Sequence, residues 1–357
     1  MPPRTYLYVG CYTDETAVGI RVYDASDPDG LLRESSEVEG LEHPSFLAPH
    51  PNGSVLYAVS ETTSRDADGL AAFRIDARDG ALSMIDRAPS HGAAACHVSL
   101  DAAGRYLYVA NYLSGTIAVY SLETDGSFGE LVAAHQHHGH GPTTRQEGPH
   151  AHFIGAGPHG DSVYAVDLGT DRVIRYVHHR DQTEGAFARE DELALHPGSG
   201  PRHLAFHSEH AVAFLVCELD STLVTLGVDE VNGRLTRLHS HPTLPATFDQ
   251  DSSGAAVRVH PDGRRIYVSN RGHDSLAVFD FTAHEQTIAS LGHVHVGGET
   301  PRDFAIHPSG RSLLVANQDS NTLVPFAIDG RTGVPEQLDV SYAASQPVCL
   351  TFLEVAR

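Results

Sequence analysis

Short apolar runs rich in Val, Ile, Leu, Tyr and Phe recur along the whole chain, separated by clusters of Gly, Pro, Asn and Asp. Nowhere do apolar residues recur at the 3.6-residue spacing of an amphipathic helix. Punctuated runs of this kind predict strands joined by turns. The reading is all-β.

The runs also repeat as a unit. An HPxG turn followed by a strand-like run appears in HPNGSVLYAVSE (His50–Glu61), HPDGRRIYVSNR (His260–Arg271) and HPSGRSLLVANQ (His307–Gln318). Weaker copies are DAAGRYLYVANY (Asp101–Tyr112), HSEHAVAFLVCE (His207–Glu218) and GDSVYAVDL (Gly160–Leu168), and YLYVGCY (Tyr6–Tyr12) opens the series. Their equivalent positions, Tyr8, Tyr57, Tyr108, Tyr164, Phe214, Tyr267 and Leu314, fall roughly 50 residues apart, a spacing that suits four-stranded propeller blades with long loops. We therefore expect a single domain over residues 1–357, a seven-bladed β-propeller. The first unit lacks the strand that precedes its turn, and the chain ends in a spare copy of it, PVCLTFLEV (Pro347–Val355). That segment should complete the first blade and close the ring, which removes two sheet edges.

Composition narrows the chemistry. The formal charge is −22 at pH 7, which opposes binding to nucleic acid or to an anionic membrane surface. The 357 residues include no lysine, so Schiff-base chemistry and a Walker-type phosphate loop are excluded. Any anionic substrate must meet Arg or His. No apolar run reaches the roughly 20 residues of a membrane span, and MPPRTYLYVG has no apolar signal core. A cytoplasmic location is expected. Cys11, Cys96, Cys217 and Cys349 stand singly and read as reduced core thiols. The run HQHHGH (His135–His140) lacks the spacing of a zinc site and reads as a flexible loop, so no metal or other cofactor is expected.

In an antiparallel blade, the start of the inner strand and the turn after the second strand lie at one end. Placing the first position directly after the repeated proline gives Val348, Ser45, Cys96, His150, Arg202, Ala255 and Arg302. The second gives Tyr12, Glu61, Tyr112, Leu168, Glu218, Arg271 and Gln318. Ionisable side chains gather in blades 4 to 7, forming a cationic pocket with one carboxylate, Glu218. Bland readings stand beside this one: Arg202 and Glu218 as a structural ion pair, Arg271 as a turn brace, and His150 and His152 as ordinary turn histidines.

The ordered series GPHAHF, DLGTDRVIRY, GPRHLAFH, CELDSTL, VSNRGHDSLAVF, TPRDFAIHPSG, LLVANQDSNTLVPF and QPVCLTF resembles the bacterial lactonase family of seven-bladed propellers, known best for 6-phosphogluconolactonase activity. It is also similar to fungal carboxymuconate cyclases. The resemblance implies catalytic roles for His150, Arg202, Glu218 and Arg271, the residues already reached by position. Arg145, Gln146 and Arg302 resemble family positions near the channel mouth. With His152, His203 and Gln318 they form the candidate substrate-binding set.

Opening a lactone requires an activated water, donors for the oxyanion and a proton for the leaving alkoxide. There is no GxSxG elbow, so direct attack by water is expected, with either His150 or Glu218 as base and the arginines binding negative charge. The substrate is expected to be a small anionic lactone. A lactone-forming cycloisomerase and a non-catalytic interaction propeller are the alternatives, and the oligomeric state is left open.

Overall fold

A computed structural model describes residues 4–13, 18–64, 68–158, 161–179 and 186–355. Among these, the strands form seven antiparallel sheets arranged as blades. The apolar runs are nearly continuous because each blade is covered on both faces by its neighbours. Thus Tyr6, Tyr8, Ile20 and Val22 of blade 1 pack against Leu56, Ala58, Ala71 and Phe73 of blade 2.

Ring closure is as expected. Pro347–Val355 pairs along Arg4–Cys11 and is the inner strand of blade 1. Leu7, Val9 and Leu350 pack with Leu314, Ala316 and Leu323 of blade 7, so the last junction is sealed by the same apolar contact as the others. Blade 7 departs slightly from the repeat: its outer edge is divided between Pro335–Gln337 and Tyr342–Ala343, both paired with Thr322–Ile328.

The repeated residues turn out to be latches between blades. Tyr8, Tyr57 and Tyr267 are fully buried, and their hydroxyls donate to the carbonyls of Gly80, Gly126 and Gly333 in the next blade at 3.1, 2.9 and 2.7 Å. The turn histidines His50, His207, His260 and His307 do the same from the turns between the first and second strands. Each reaches a carbonyl of the following blade through Nε2, at Gly104, Gly263, Gly310 and Ala25, while Nδ1 accepts a backbone N–H two residues on. The HPxG signature therefore encodes contact between units as well as a turn.

All four cysteines are buried and unpaired. Burial pushes the Cys11 thiol up to about 12. Among the described residues, no helix is long and apolar enough to cross a membrane.

Candidate active site

Inner strands enter the ring through β-bulges. The pairing register skips Val348, Cys96, His152, Arg202 and Arg302 in blades 1, 3, 4, 5 and 7, and skips Ala255 and Ala256 in blade 6. A bulge takes a residue out of the ladder and re-aims its side chain. Val348, Cys96, His152, Arg202 and Arg302 accordingly line one nearly closed throat, together with Ser45 and Glu61. Its free volume is about 10 Å³, the space of a single water.

Blade 4 corrects the expected placement. Alignment on proline puts His150 beside Arg202, but Ala151 pairs with Asp167 as Pro201 pairs with Cys217. His152 is therefore the counterpart of Arg202. His150 sits just before the strand, its ring stacked on Tyr112 with centroids 4.5 Å apart. Its Nδ1–H donates to the Tyr112 carbonyl at 3.0 Å, and Nε2 lies 3.6 Å from the exposed carboxylate of Glu147.

Glu218 closes the second strand of blade 5 and is buried. Arg202 Nε and Arg271 Nη2 reach its Oε2 at 3.1 and 2.9 Å, and Arg145 Nη2 reaches Oε1 at 3.0 Å. The guanidinium groups are held from behind by backbone: Arg202 Nη1 donates to Ala255 O at 2.7 Å and Arg271 Nη2 to Gly254 O at 3.0 Å. Arg145 also reaches the Tyr112 hydroxyl at 3.3 Å, which ties the arginine cluster to the ring under His150. Across the throat, Arg302 donates to Tyr12 Oη at 2.7 Å, and that hydroxyl donates to Glu61 Oε2 at 3.0 Å.

The chain matches the family described as "Lactonase, 7-bladed beta-propeller" over residues 6–352. It belongs to that family. Among curated relatives, this lactonase-family protein is 33% identical over 346 residues to the 6-phosphogluconolactonase of Bacillus subtilis, covering 97% of each chain. It is 31% identical over 348 residues to the 6-phosphogluconolactonase of Formosa agariphila, covering 95% of this chain and 98% of that one. Among solved structures it is similar to the periplasmic gluconolactonase of Pseudomonas aeruginosa, with a TM-score of 0.91, 32% identity and coverage of 99% and 100%.

Charge in this lactonase-family site is strongly biased. Burial opposes the charge on Glu218, but Arg271 and Arg202, joined by Arg145, override it and hold the carboxyl far below the usual range. Burial, then Arg271 and Arg302, lowers the proton affinity of Arg202. Its ion pair with Glu218 and its carbonyl partner keep the guanidinium charged at neutral pH. Burial, with Arg202 next, pushes His152 and His203 well below 6.5, so both rings are neutral.

The other candidates separate. His203 lies under the mouth, packed edge-on against Phe46, His97 and His152 at 5.8, 5.5 and 5.2 Å, and helps to fill the channel. Gln318 keeps Oε1 without a partner. Gln146 is fully buried: its Nε2 donates to Leu168 O at 2.9 Å and its Oε1 accepts from Thr143 Oγ1 at 3.2 Å. Its amide is spent on the loop that presents Arg145, and we leave it out of the substrate-binding set.

Two expectations change. The throat is lined by two carboxylates besides Glu218: Glu61, which ring closure brings up to blade 7, and Asp303, which pairs with Arg258 at 2.6 Å. HQHHGH is not a loose loop: His135 lies in the outer strand of blade 3, and His137 is buried against Asp167. Among the described residues, no three His, Cys, Asp or Glu side chains are grouped to hold a metal. Sequence reasoning passed over Tyr12, Tyr112 and Asp167. The first two occupied the second position but fell outside the charged blades. Asp167 stands where other repeats carry Asn111, Asn270 and Asn317, and that contrast was its signal.

Proposed function

We propose that the protein hydrolyses a sugar lactone, foremost 6-phosphogluconolactone, at the channel mouth. The convergence of Arg145, Arg202 and Arg271 on buried Glu218, one aromatic ring away from His150, carries this reading. Both oxygens of Glu218 are occupied by arginines, which makes it a poor base and a good template for aligning them. His150 has the features of the base. With Nδ1–H held by the Tyr112 carbonyl, Nε2 carries the lone pair and the ring orientation is set.

In this scheme His150 Nε2 takes a proton as water oxygen bonds to the lactone carbonyl carbon. The arginine N–H groups stabilise the resulting oxyanion. As the ring C–O bond breaks, the His150 imidazolium returns the proton to the departing alkoxide, which leaves a hydroxy acid. Every step is assigned to side chains of this chain. The similarity to enzymes named 6-phosphogluconolactonase supports the substrate. The four unpaired thiols support a cytoplasmic location, although the Pseudomonas relative is named as periplasmic.

The test is a panel of phosphorylated and unphosphorylated aldonolactones, read by proton release with purified protein. Faster opening of 6-phosphogluconolactone is expected. Failure to open any sugar lactone, with conversion of a carboxymuconate instead, would replace hydrolysis with cyclisation.

A further inference from the structure

Blade 4 breaks the repeat at the residue that carries the proposed base. In blades 1, 3, 5 and 7 the residue just before the inner strand, Gln346, Ala94, Gly200 or Thr300, has left-handed backbone with φ of 39, 56, 59 and 58°, and in blade 2 His43, before Pro44, has φ of 45°; blade 6 has no such residue. His150 occupies the same place without left-handed backbone. Three of those residues are also held alike. The N–H of Gly200, Thr300 and Gln346 is captured by Asp171, Asp274 and Asn321, each a turn residue of the preceding blade, at 2.8, 2.9 and 2.8 Å.

The blade before His150 has no such side chain. Its turn carries Gly115, where an added Cβ would lie 2.5 Å from Pro149. The acceptor comes instead from blade 4 itself: Asp167 Oδ1 takes the His150 N–H at 2.9 Å and the Thr170 N–H at 3.0 Å. Seating is close, since a Cβ on Gly169 would come within 1.9 Å of Gly148 O and 2.8 Å of His150 N.

The second oxygen of Asp167 is also spoken for. In blades 3, 6 and 7 the equivalent Asn111, Asn270 and Asn317 donate Nδ2 to a linker carbonyl, of Ser90, Thr243 and Val296. A carboxylate has no N–H to give. His137, on the corresponding linker, supplies Nδ1–H to Oδ2 at 2.6 Å, and its Nε2 accepts the Tyr176 hydroxyl at 3.0 Å. His137, Asp167 and Tyr176 are at most 1% exposed.

We propose that Asp167, buttressed by His137, is the positioning residue that fixes His150 for catalysis. Exchanging Asn for a histidine-held carboxylate creates two acceptor oxygens at one site. One holds the catalytic segment and the other is anchored in the core. A local departure from a repeat that costs a buried charge is the expected mark of a functional site. The inference rests on the reading of His150 as proton acceptor.

The experiment compares Asp167→Ala, Asp167→Asn, Asn317→Ala and His150→Gln in the full chain, measuring kcat, KM and thermal melting on the best lactone. Asp167→Ala should lower kcat on the order of 100-fold, the cost of a base displaced by about an ångström, with KM changed less than about threefold. Asp167→Asn, which keeps an oxygen for both N–H groups, should recover kcat to within about tenfold of native. Asn317→Ala removes the same latch from blade 7 and should lower melting while kcat stays within about twofold. Native turnover in folded Asp167→Ala, equal loss in the Asn variant, or equal loss in Asn317→Ala would overturn the proposal. If Asp167→Ala does not fold, Gly169→Ala decides, because its Cβ displaces the same segment without touching the carboxylate; unchanged kcat there overturns it. His150→Gln tests the reading beneath: native turnover in that variant removes His150 as base, whatever Asp167 does.

Discussion

Arg202 and Glu218 pair within a single blade, Nε to Oε2 at 3.1 Å, with 3% and 5% of their side chains exposed. A buried pair of this kind adds little stability by itself, yet removing one partner leaves the other charge stranded. Here the stranded set would also include Arg271, which shares the same carboxylate oxygen.

Glu218→Gln should therefore destabilise the protein by about 3–5 kcal/mol and abolish turnover. The sign of its pH dependence follows from the lowered carboxyl. In native protein the stabilisation is complete above the unfolded-state value of about 4.3 and is lost as pH falls below it. Urea titrations at pH 7 and pH 5.5, both above that value, should show the same deficit of the variant against native protein. Equal stability at pH 7 would contradict the electrostatic account of the cluster.

Arg271→Lys separates binding of growing charge from bracing of a turn. Arg271 holds Gly254 O and Glu218 through Nη2 alone, which leaves the rest of its planar fork for substrate; lysine keeps the charge but has a single nitrogen and no fork to present. Turnover should fall on the order of 100-fold with little change in melting. A lowered melting temperature with normal turnover of the folded fraction would return Arg271 to a structural role.

The channel histidines set an acid limit on stability. Burial, with Arg258 next, lowers His97 to about 3, and His152 and His203 are also well below 6.5. All three stay neutral in the folded chain and charge on unfolding. Stability is then full above about pH 6.5 and falls as pH drops toward the folded values, by about 1.4 kcal/mol per pH unit for each ring. Denaturation at pH 7.5 and 5.5 should show the decline, and His97→Asn should make it shallower. An unchanged slope in that variant would mean that His97 charges in the folded state.

Removing residues 347–357 should collapse the ring. The deletion strips the inner strand from Arg4–Cys11, takes Cys349 and Leu350 from two core clusters, and leaves Asp303 Oδ2 without the Leu350 N–H that it accepts at 2.9 Å. Loss of cooperative melting is expected. A soluble product that melts normally would refute the latch.

The repeat was legible because each blade obeys the same backbone demand: an apolar strand covered on both faces, a turn, and a latch residue reaching the next unit. Arg202, Glu218, Arg271 and Arg302 were legible for the same reason, since equivalent positions in a repeat point to one place. The choice between His150 and His152 was not. A proline marks the start of a segment but does not say where the ladder skips a residue, and that is set by Ala151 pairing with Asp167.

The blade count, the closing strand and the arginine-rich character of the mouth all follow from local pattern and its repetition along the chain. Folding sets which groups meet: Tyr12 and Glu61 with Arg302, His137 with Asp167, and Tyr112 beneath His150. Those partners lie tens to hundreds of residues apart. Their contacts depend on bulge position and ring closure, and neither leaves a periodic trace in the chain.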